Sequence, residues 1–400
     1  MDESLRSRVG RAKRLHRPSL GDDWARDGFA SVRRGDFEAM AARATVAMRR
    51  IDAGEFYGDD QTRPAIVENA VEGSIDWEAL RGLDGVKLKC GEDDDGEDVR
   101  LTVGDFLAYA EADSFGDDSP LYVFDSSFAD RRWGRPLRRC YRHIFAEDLF
   151  GLVGEKTRPP YRWFLVGPKR SGTSVHVDPL GTAAWNTLWR GRKRWVLFPP
   201  ETPKKVAKGT KLYAAAQDDE PVNYFVDVLP KIDAMKYEFV QYPGDTVFVP
   251  PGWWHAVINL DHTVAVTQNF VSRANFHRAW TLSRDSRPHM TRKWFRRLRR
   301  DPDYADLVEE ARRLGPGVKN TKLADLLSQS FDSSTLPQTS PKKQESSSKD
   351  RKSRHHYKKK KKKYKHHRKR RGGDDDGDQQ RPKKKARRRD PPAFVSSEED

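Results

Sequence analysis

Residues 121–270 constrain this chain more than any other stretch, because they break into short runs of β-branched and aromatic residues closed by turn residues. The runs are Leu121–Phe124, Tyr161–Val166, Ser174–Val177, Thr182–Trp189, Arg194–Phe198, Tyr237–Gln241, Asp245–Val249, His255–Leu260 and Thr263–Phe270. Gly191, Pro243-Gly244 and Asp261 mark tight turns among them. Such side chains fit a pleated, half-buried surface, and many short strands of this kind bury their apolar faces by closing into a β-sandwich or barrel of double-sheet, jelly-roll type. The expected fold class is therefore mainly β with helical flanks. Residues 200–232, rich in Lys, Pro and Asp, interrupt the pattern as an insertion.

On the N-terminal side, Phe37–Arg50 and Val103–Ala112 are patterned as helices, and Pro64–Glu68 and Val86–Cys90 as extended chain. We expect residues 21–118 to form a mixed α/β region packing on a core domain of 119–275. Residues 1–20 are polar and basic and are expected as a short exposed helix or a disordered arm. After Phe270 the segments Phe276–Leu282, Thr291–Arg300 and Asp303–Leu314 are amphipathic. Residues 276–327 therefore read as a helical region, with Trp280 and Trp294 available to pack on the barrel, or with exposed Trp or Phe to mediate a homodimer.

Charge divides the chain sharply. Residues 341–400 carry 24 Lys/Arg against 10 Asp/Glu, so +14 of the total net charge of +16 belongs to them and only +2 to the rest. Blocks such as Lys358–Lys363 cannot bury a core, and 328–400 is expected as a disordered basic tail. Its clusters at 358–371 and 383–389 read as nuclear-import signals or RNA-binding arms, which places the protein in the nucleus and also allows the cytoplasm. The four tail histidines at 355, 356, 366 and 367 read as spacers in a flexible basic run. Two cysteines, Cys90 and Cys140, give neither a disulfide framework nor a Cys-rich zinc site. With no apolar leader and no run of about 18 apolar residues, the expectation is a soluble, reducing, intracellular protein that does not engage a membrane. The acidic loop Gly91–Asp98 fails the EF-hand pattern, since Gly91 and Thr102 would occupy its first and twelfth positions. It reads as a solvated loop, or as an acidic rim attracting cationic substrates.

The chemistry sits in His176-Val-Asp178 and in Pro250-Pro-Gly-Trp-Trp-His255. Residues two apart on a strand share a face, and His255 follows His176 by 79 residues on what reads as another strand. Two imidazoles and a carboxylate on neighbouring strands cover one triangular face of an octahedral metal. Three positions stay open, the arrangement by which non-haem Fe(II) oxygenases take a co-substrate and O2. Taken singly, each residue has an ordinary structural role available: a hydrogen-bonded strand histidine, or a turn at Asp178-Pro179.

These two motifs, with Gly244-Asp245 and Thr267-Gln-Asn269, resemble the JmjC family of Fe(II)/2-oxoglutarate oxygenases. Ser119–Ser127, Arg158–Trp163, Gly167–Thr173 and Lys89–Gly96 resemble its phosphatidylserine-receptor subgroup over roughly residues 1–300, while the tail differs from that subgroup's serine-rich tail. The resemblance implies a double-stranded β-helix (cupin/jelly-roll) core, with His176, Asp178 and His255 as iron ligands. It implies Lys193 as the cation for the far carboxylate of 2-oxoglutarate, with Arg192 and Arg194 as alternatives if the register is off by one. Tyr122, Thr173, Asn186, Thr267 and Asn269 are implied as further co-substrate contacts, and Trp163, Trp253 and Trp254 as core or pocket wall. The implied activity oxidises 2-oxoglutarate with O2 to hydroxylate lysyl side chains of basic nuclear proteins, histones or splicing factors. Arginine or lysine N-demethylation is the alternative. A catalytically dispensable JmjC scaffold serving RNA binding or splicing is a reading of another class, and a Zn or Mn cupin a third.

Overall fold

Strand alternation in the 121–270 stretch is realised by two sheets laid face to face. The computed structural model describes residues 3–56, 61–70, 75, 77–134, 147–214, 217, 219–318 and 320–328. The tail with its two basic clusters and histidines, and Cys140, lie outside the described residues. The larger sheet is built from β1 (Arg50–Asp52), β2 (Ala65–Glu68), β5 (Val123–Asp125), β6 (Arg162–Gly167), β8 (Ala183–Arg190), β11 (Thr246–Val249) and β13 (Thr263–Phe270), in the order β1-β2-β11-β8-β13-β6-β5. The smaller sheet runs β10-β9-β12-β7, from β7 (Gly172–His176), β9 (Lys193–Phe198), β10 (Tyr237–Gln241) and β12 (Trp254–Asn259). A separate hairpin pairs β3 (Lys87–Glu92) with β4 (Asp98–Thr102). The nine runs expected as strands all contribute one, and a jelly-roll core results.

Each outer face of the sandwich is covered, which explains why strands such as β6 and β9 are buried on both sides. Outside the larger sheet lie α1 (Glu3–His16), α3 (Trp77–Arg81), α4 (Val103–Glu111) and the hairpin, packed through Val9, Trp77, Phe106 and Trp185. Outside the smaller sheet lie α2 (Arg34–Ala42) and the 200–232 segment, whose α5 (Lys204–Ala207), α6 (Pro221–Asn223) and following turns bury Tyr224, Phe225, Val228 and Leu229. The polar insertion is thus a cap with its own apolar face.

Three expectations need correction. The N-terminal 1–20 segment is not an exposed arm: α1 buries Leu5, Val9 and Ala12, and Lys13 is 2% exposed with its Nζ 2.8 Å from Asp117. The helix expected over Phe37–Arg50 stops at Ala42, because residues 43–49 run extended toward β1. The exit from the helix is held by Arg194, whose buried guanidinium donates to the carbonyls of Met40, in the helix, and Arg43, just beyond it, each at 3.1 Å. Finally, α7 (Phe276–Ser286), α8 (Pro288–Leu298), α9 (Ala305–Leu314) and α10 (Thr321–Ser328) bury Trp280, Trp294, Phe276 and Phe295 in a helical core of their own with Phe150 and Val271. These aromatics neither fill the barrel nor offer an exposed face to a second copy.

Candidate metal centre and co-substrate pocket

The register of β7 against β12 sets His176 directly opposite His255, with ring centroids 4.2 Å apart. Directly opposed residues of an antiparallel pair point to the same face, so both imidazoles enter the space between the sheets. One nitrogen from each ring and one carboxylate oxygen of Asp178 lie within 4.8 Å of one another, the single such group among the described residues. His255 Nε2 is 3.9 Å from Asp178 Oδ2.

The donor set fits a divalent metal. The Nδ1 of His176 is 2.8 Å from the Ser174 carbonyl and that of His255 is 3.1 Å from the Trp253 carbonyl. Carbonyl oxygen only accepts, so both Nδ1 atoms carry the hydrogen and both Nε2 lone pairs are left to ligate. Asp178 Oδ2 is buried and has no hydrogen-bond partner, a costly state for a carboxylate unless a cation occupies the gap. Burial, followed by the His255 charge, pulls His176 down to about 4, so its ring is neutral and free to ligate near neutrality.

About 550 Å³ of space, including its opening to solvent, runs inward from these ligands, and all nine residues singled out from the sequence line it. Lys193 opens β9 opposite Asn259, four residues beyond His255 on β12 and about 13 Å along the strand. Its ammonium is wholly buried, donating to Asn259 Oδ1 at 2.8 Å and to the Tyr122 hydroxyl at 3.0 Å. Among the described residues no carboxylate pairs with it, and burial lowers it to about 7. The two neighbours separate cleanly: Arg192 turns outward to Asp261 at 2.7 Å, and Arg194 leaves the opposite face toward Glu238.

The remaining contacts come from three strands. Thr173 pairs with Val257 and lies between the metal ligands and Lys193. Asn186 on β8 and Thr267 on β13 are cross-strand partners. The Thr267 hydroxyl donates to the Trp185 carbonyl at 2.8 Å, and Asn186 Oδ1 is buried without a partner. Asn269 is anchored through Thr182 Oγ1 at 3.1 Å. Trp163, packed on Phe124 at 5.2 Å between ring centroids, is pocket wall. Trp253 packs on Tyr237, and Trp254 donates to the Thr202 carbonyl at 3.1 Å. The acidic loop supplies no lining residue, and Lys89 pairs with both Glu92 and Asp98.

Sequence reading missed Asn259, Ser171 and Gly167. Asn259 Nδ2 donates to Ser171 Oγ at 2.8 Å, and Ser171 in turn donates to the Pro168 carbonyl at 2.6 Å. A Cβ on Gly167 would overlap Asn259 Nδ2 and come within 2.8 Å of Tyr122, so only glycine leaves room for the cluster around Lys193. The available signal was a single amide in the apolar run Ala256-Val-Ile-Asn259-Leu260, since a buried amide must be satisfied.

Comparison with known proteins agrees with this geometry. Residues 163–270 match the JmjC domain, hydroxylase, family model. The bifunctional arginine demethylase and lysyl-hydroxylase psr-1 of Caenorhabditis elegans is 42% identical over 234 residues, spanning 56% of this chain and 58% of that protein. Its Caenorhabditis briggsae counterpart is 39% identical over 313 residues, 73% of this chain and 77% of that one. The lysine-specific demethylase JMJ21 of Arabidopsis thaliana is 44% identical over 189 residues, 44% of this chain and 19% of that protein. Further relatives bear the name 2-oxoglutarate and iron-dependent oxygenase. With a 2-His-1-carboxylate donor set, a buried cation in the same cavity and kinship over most of its length, the chain belongs to the JmjC family of iron- and 2-oxoglutarate-dependent oxygenases, in the phosphatidylserine-receptor group.

Proposed function

We propose that this protein hydroxylates lysyl side chains, at C5, in basic nuclear proteins of RNA processing or chromatin. The observation that carries the reading is the placement of three ligand atoms and one buried ammonium in a single cavity. Lys193 holds the far carboxylate of 2-oxoglutarate as a compact point charge that leaves the cavity unfilled. Thr173, Tyr122, Asn186, Thr267 and Asn269 orient the co-substrate, and the aromatic walls exclude water. His176, Asp178 and His255 would hold ferrous iron, which when bound supplies the O2 chemistry that no side chain can perform. The balance is one 2-oxoglutarate, one O2 and one substrate C–H giving succinate, CO2 and an alcohol, with one atom of O2 ending in succinate and the other in the alcohol.

Arginine demethylation is a second reading, favoured by the psr-1 name. There the hydroxylated N-methyl carbon leaves as formaldehyde. Nuclear placement rests on the basic clusters at 358–371 and 383–389, which also suit RNA as a partner. Mass spectrometry of Lys/Arg-rich peptides incubated with enzyme, iron and 2-oxoglutarate is the test. A gain of about 16 Da on lysine is the expected outcome, and a loss of about 14 Da from methyl-arginine would favour the second reading. No turnover on either peptide, with RNA binding unchanged in His176→Ala, would leave an RNA-binding scaffold instead.

A further inference from the structure

Of the three candidate metal ligands, Asp178 is the one that no strand holds. His176 ends β7 and His255 lies within β12, so the ladder between those strands fixes both backbones. Asp178 lies two residues beyond β7, and its buried Oδ2 has no hydrogen-bond partner to aim it. The place of that oxygen is therefore set by the turn that follows, Pro179–Gly181. This turn is strained. Leu180 has φ 57° and ψ 23°, the left-handed region that a bulky side chain rarely enters, and Gly181 follows at φ 65°. Such a conformation persists only where its surroundings impose it.

The imposing contacts come from the C-terminal helical region. The Leu180 side chain packs against the core that holds Trp280 and Trp294. The Gly181 carbonyl accepts from Asn275 Nδ2 at 3.0 Å, and a Cβ on Gly181 would come within 2.9 Å of the Ala279 nitrogen and of the Arg278 carbonyl carbon. Asn275, the residue that caps the start of α7, is 4% exposed. Its Oδ1 accepts from the Ser272 nitrogen at 2.7 Å, which fixes the amide with its NH2 toward the turn. Positions 275, 278 and 279 are three and four apart and so project from one side of the helix. From that side Arg278 also lies over Gly252, in the turn that leads to His255, where a Cβ would come within 2.5 Å of its Nη2. On the sandwich side, Thr182 closes the Asp178 turn: its nitrogen and its hydroxyl both donate to the Pro179 carbonyl, at 3.2 and 2.8 Å. The sandwich closes the turn, and the helical region holds it in the strained form.

We infer that Asn275 is a positioning residue for the metal centre: together with Leu180 it clamps the Pro179–Gly181 turn onto α7 and so holds the Asp178 carboxylate toward His176 and His255. The inference rests on the reading of those three side chains as metal ligands and is independent of the substrate. The experiment titrates Co(II) into the metal-free full chain and follows its visible absorption, whose intensity reports coordination geometry. Asn275→Asp keeps the acceptor for the Ser272 nitrogen and removes the donor to Gly181, and Asn275→Ala repeats the loss without a charge. Leu180→Ala keeps the turn's backbone and removes its seat in the helical core. Each should weaken Co(II) binding about tenfold, the usual loss when the support of a metal ligand is removed. Leu323→Ala makes a cavity in the same helical core on α10 and should leave affinity within about twofold. Thermal unfolding of the metal-free proteins sets the stability lost by each variant beside its affinity. Unchanged affinity in the Asn275 variants or in Leu180→Ala overturns the proposal. So does a loss in Leu323→Ala equal to theirs, because affinity would then follow general stability and not the turn. Asp178→Ala tests the ligand reading itself. If that variant binds Co(II) as the parent does, the ligand assignment falls and the clamp with it. If it loses Co(II) while the Asn275 and Leu180 variants do not, the clamp alone is refuted.

Discussion

Lys193 is a cation held where water cannot reach it, with two neutral oxygens as its partners. Burial lowers its pKa to about 7, so the empty pocket loses its charge as pH rises past neutrality. A bound carboxylate favours the ammonium, and binding above that pH must take up a proton. The expected outcome is an affinity for 2-oxoglutarate that is flat below pH of about 7 and weakens about tenfold per unit above it. Calorimetry in buffers of different ionisation heat would show the proton uptake, and a flat profile from pH 6 to 9 would refute it. Asn259 is the residue that aims this ammonium. Asn259→Ala leaves Lys193 with Tyr122 alone and should raise the KM for 2-oxoglutarate about tenfold, near the loss of one hydrogen bond to a charged group, while kcat changes less. Saturation kinetics separate the two parameters. At this scale the ligand triple was legible because chemistry restricts which side chains can serve, and Lys193 was singled out from Arg192 and Arg194 by the resemblance to the JmjC pattern. Asn259 and Ser171 were not, since an amide and a hydroxyl in a strand look the same whether they satisfy a core or hold a catalytic group.

Between β7 and β12 the decisive feature is a bulge. His176 pairs with His255 and Thr173 with Val257, so three steps on β7 answer two on β12. In a regular strand residues three apart face opposite ways, and Thr173 would leave the pocket that His176 enters. The extra residue restores the parity and brings both side chains inside. Gly172 ends this arrangement, for a Cβ there would overlap the Val257 carbonyl. Gly172→Ala should therefore force the strands apart, costing about 2–3 kcal/mol of stability and lowering iron affinity. Thermal unfolding with and without added metal would check this, and an unchanged melting temperature in both would refute it. The helix N-terminal to the sheet shows a different limit of pattern reading. α1 carries so many arginines and lysines that it reads as an exposed arm, yet Lys13 is buried against Asp117, which also accepts from the Tyr109 hydroxyl at 2.9 Å. Lys13→Ala would leave that carboxylate uncompensated and should cost about 3–5 kcal/mol, measurable by denaturant unfolding.

Over the whole molecule, charge and fold are divided between different parts of the chain. The sandwich, its caps and the helical region bury the apolar residues, while most of the net charge lies beyond residue 340. Truncation after Ser328 should leave turnover of short peptides within about twofold, because no pocket residue is lost, and should flatten the salt dependence of polyanion binding. Retained RNA affinity with an unchanged salt slope would show that the folded part carries it. By itself the sequence determined the β class, the strand positions, the metal donor types and the separation of a charged tail, because periodicity, composition and ligand chemistry are local properties. Tertiary structure alone decided that a bulge turns Thr173 inward, that Lys193 rather than its arginine neighbours faces the cavity, and that α1 is buried. Those outcomes depend on which residues meet across long separations, and chain order does not encode that distance.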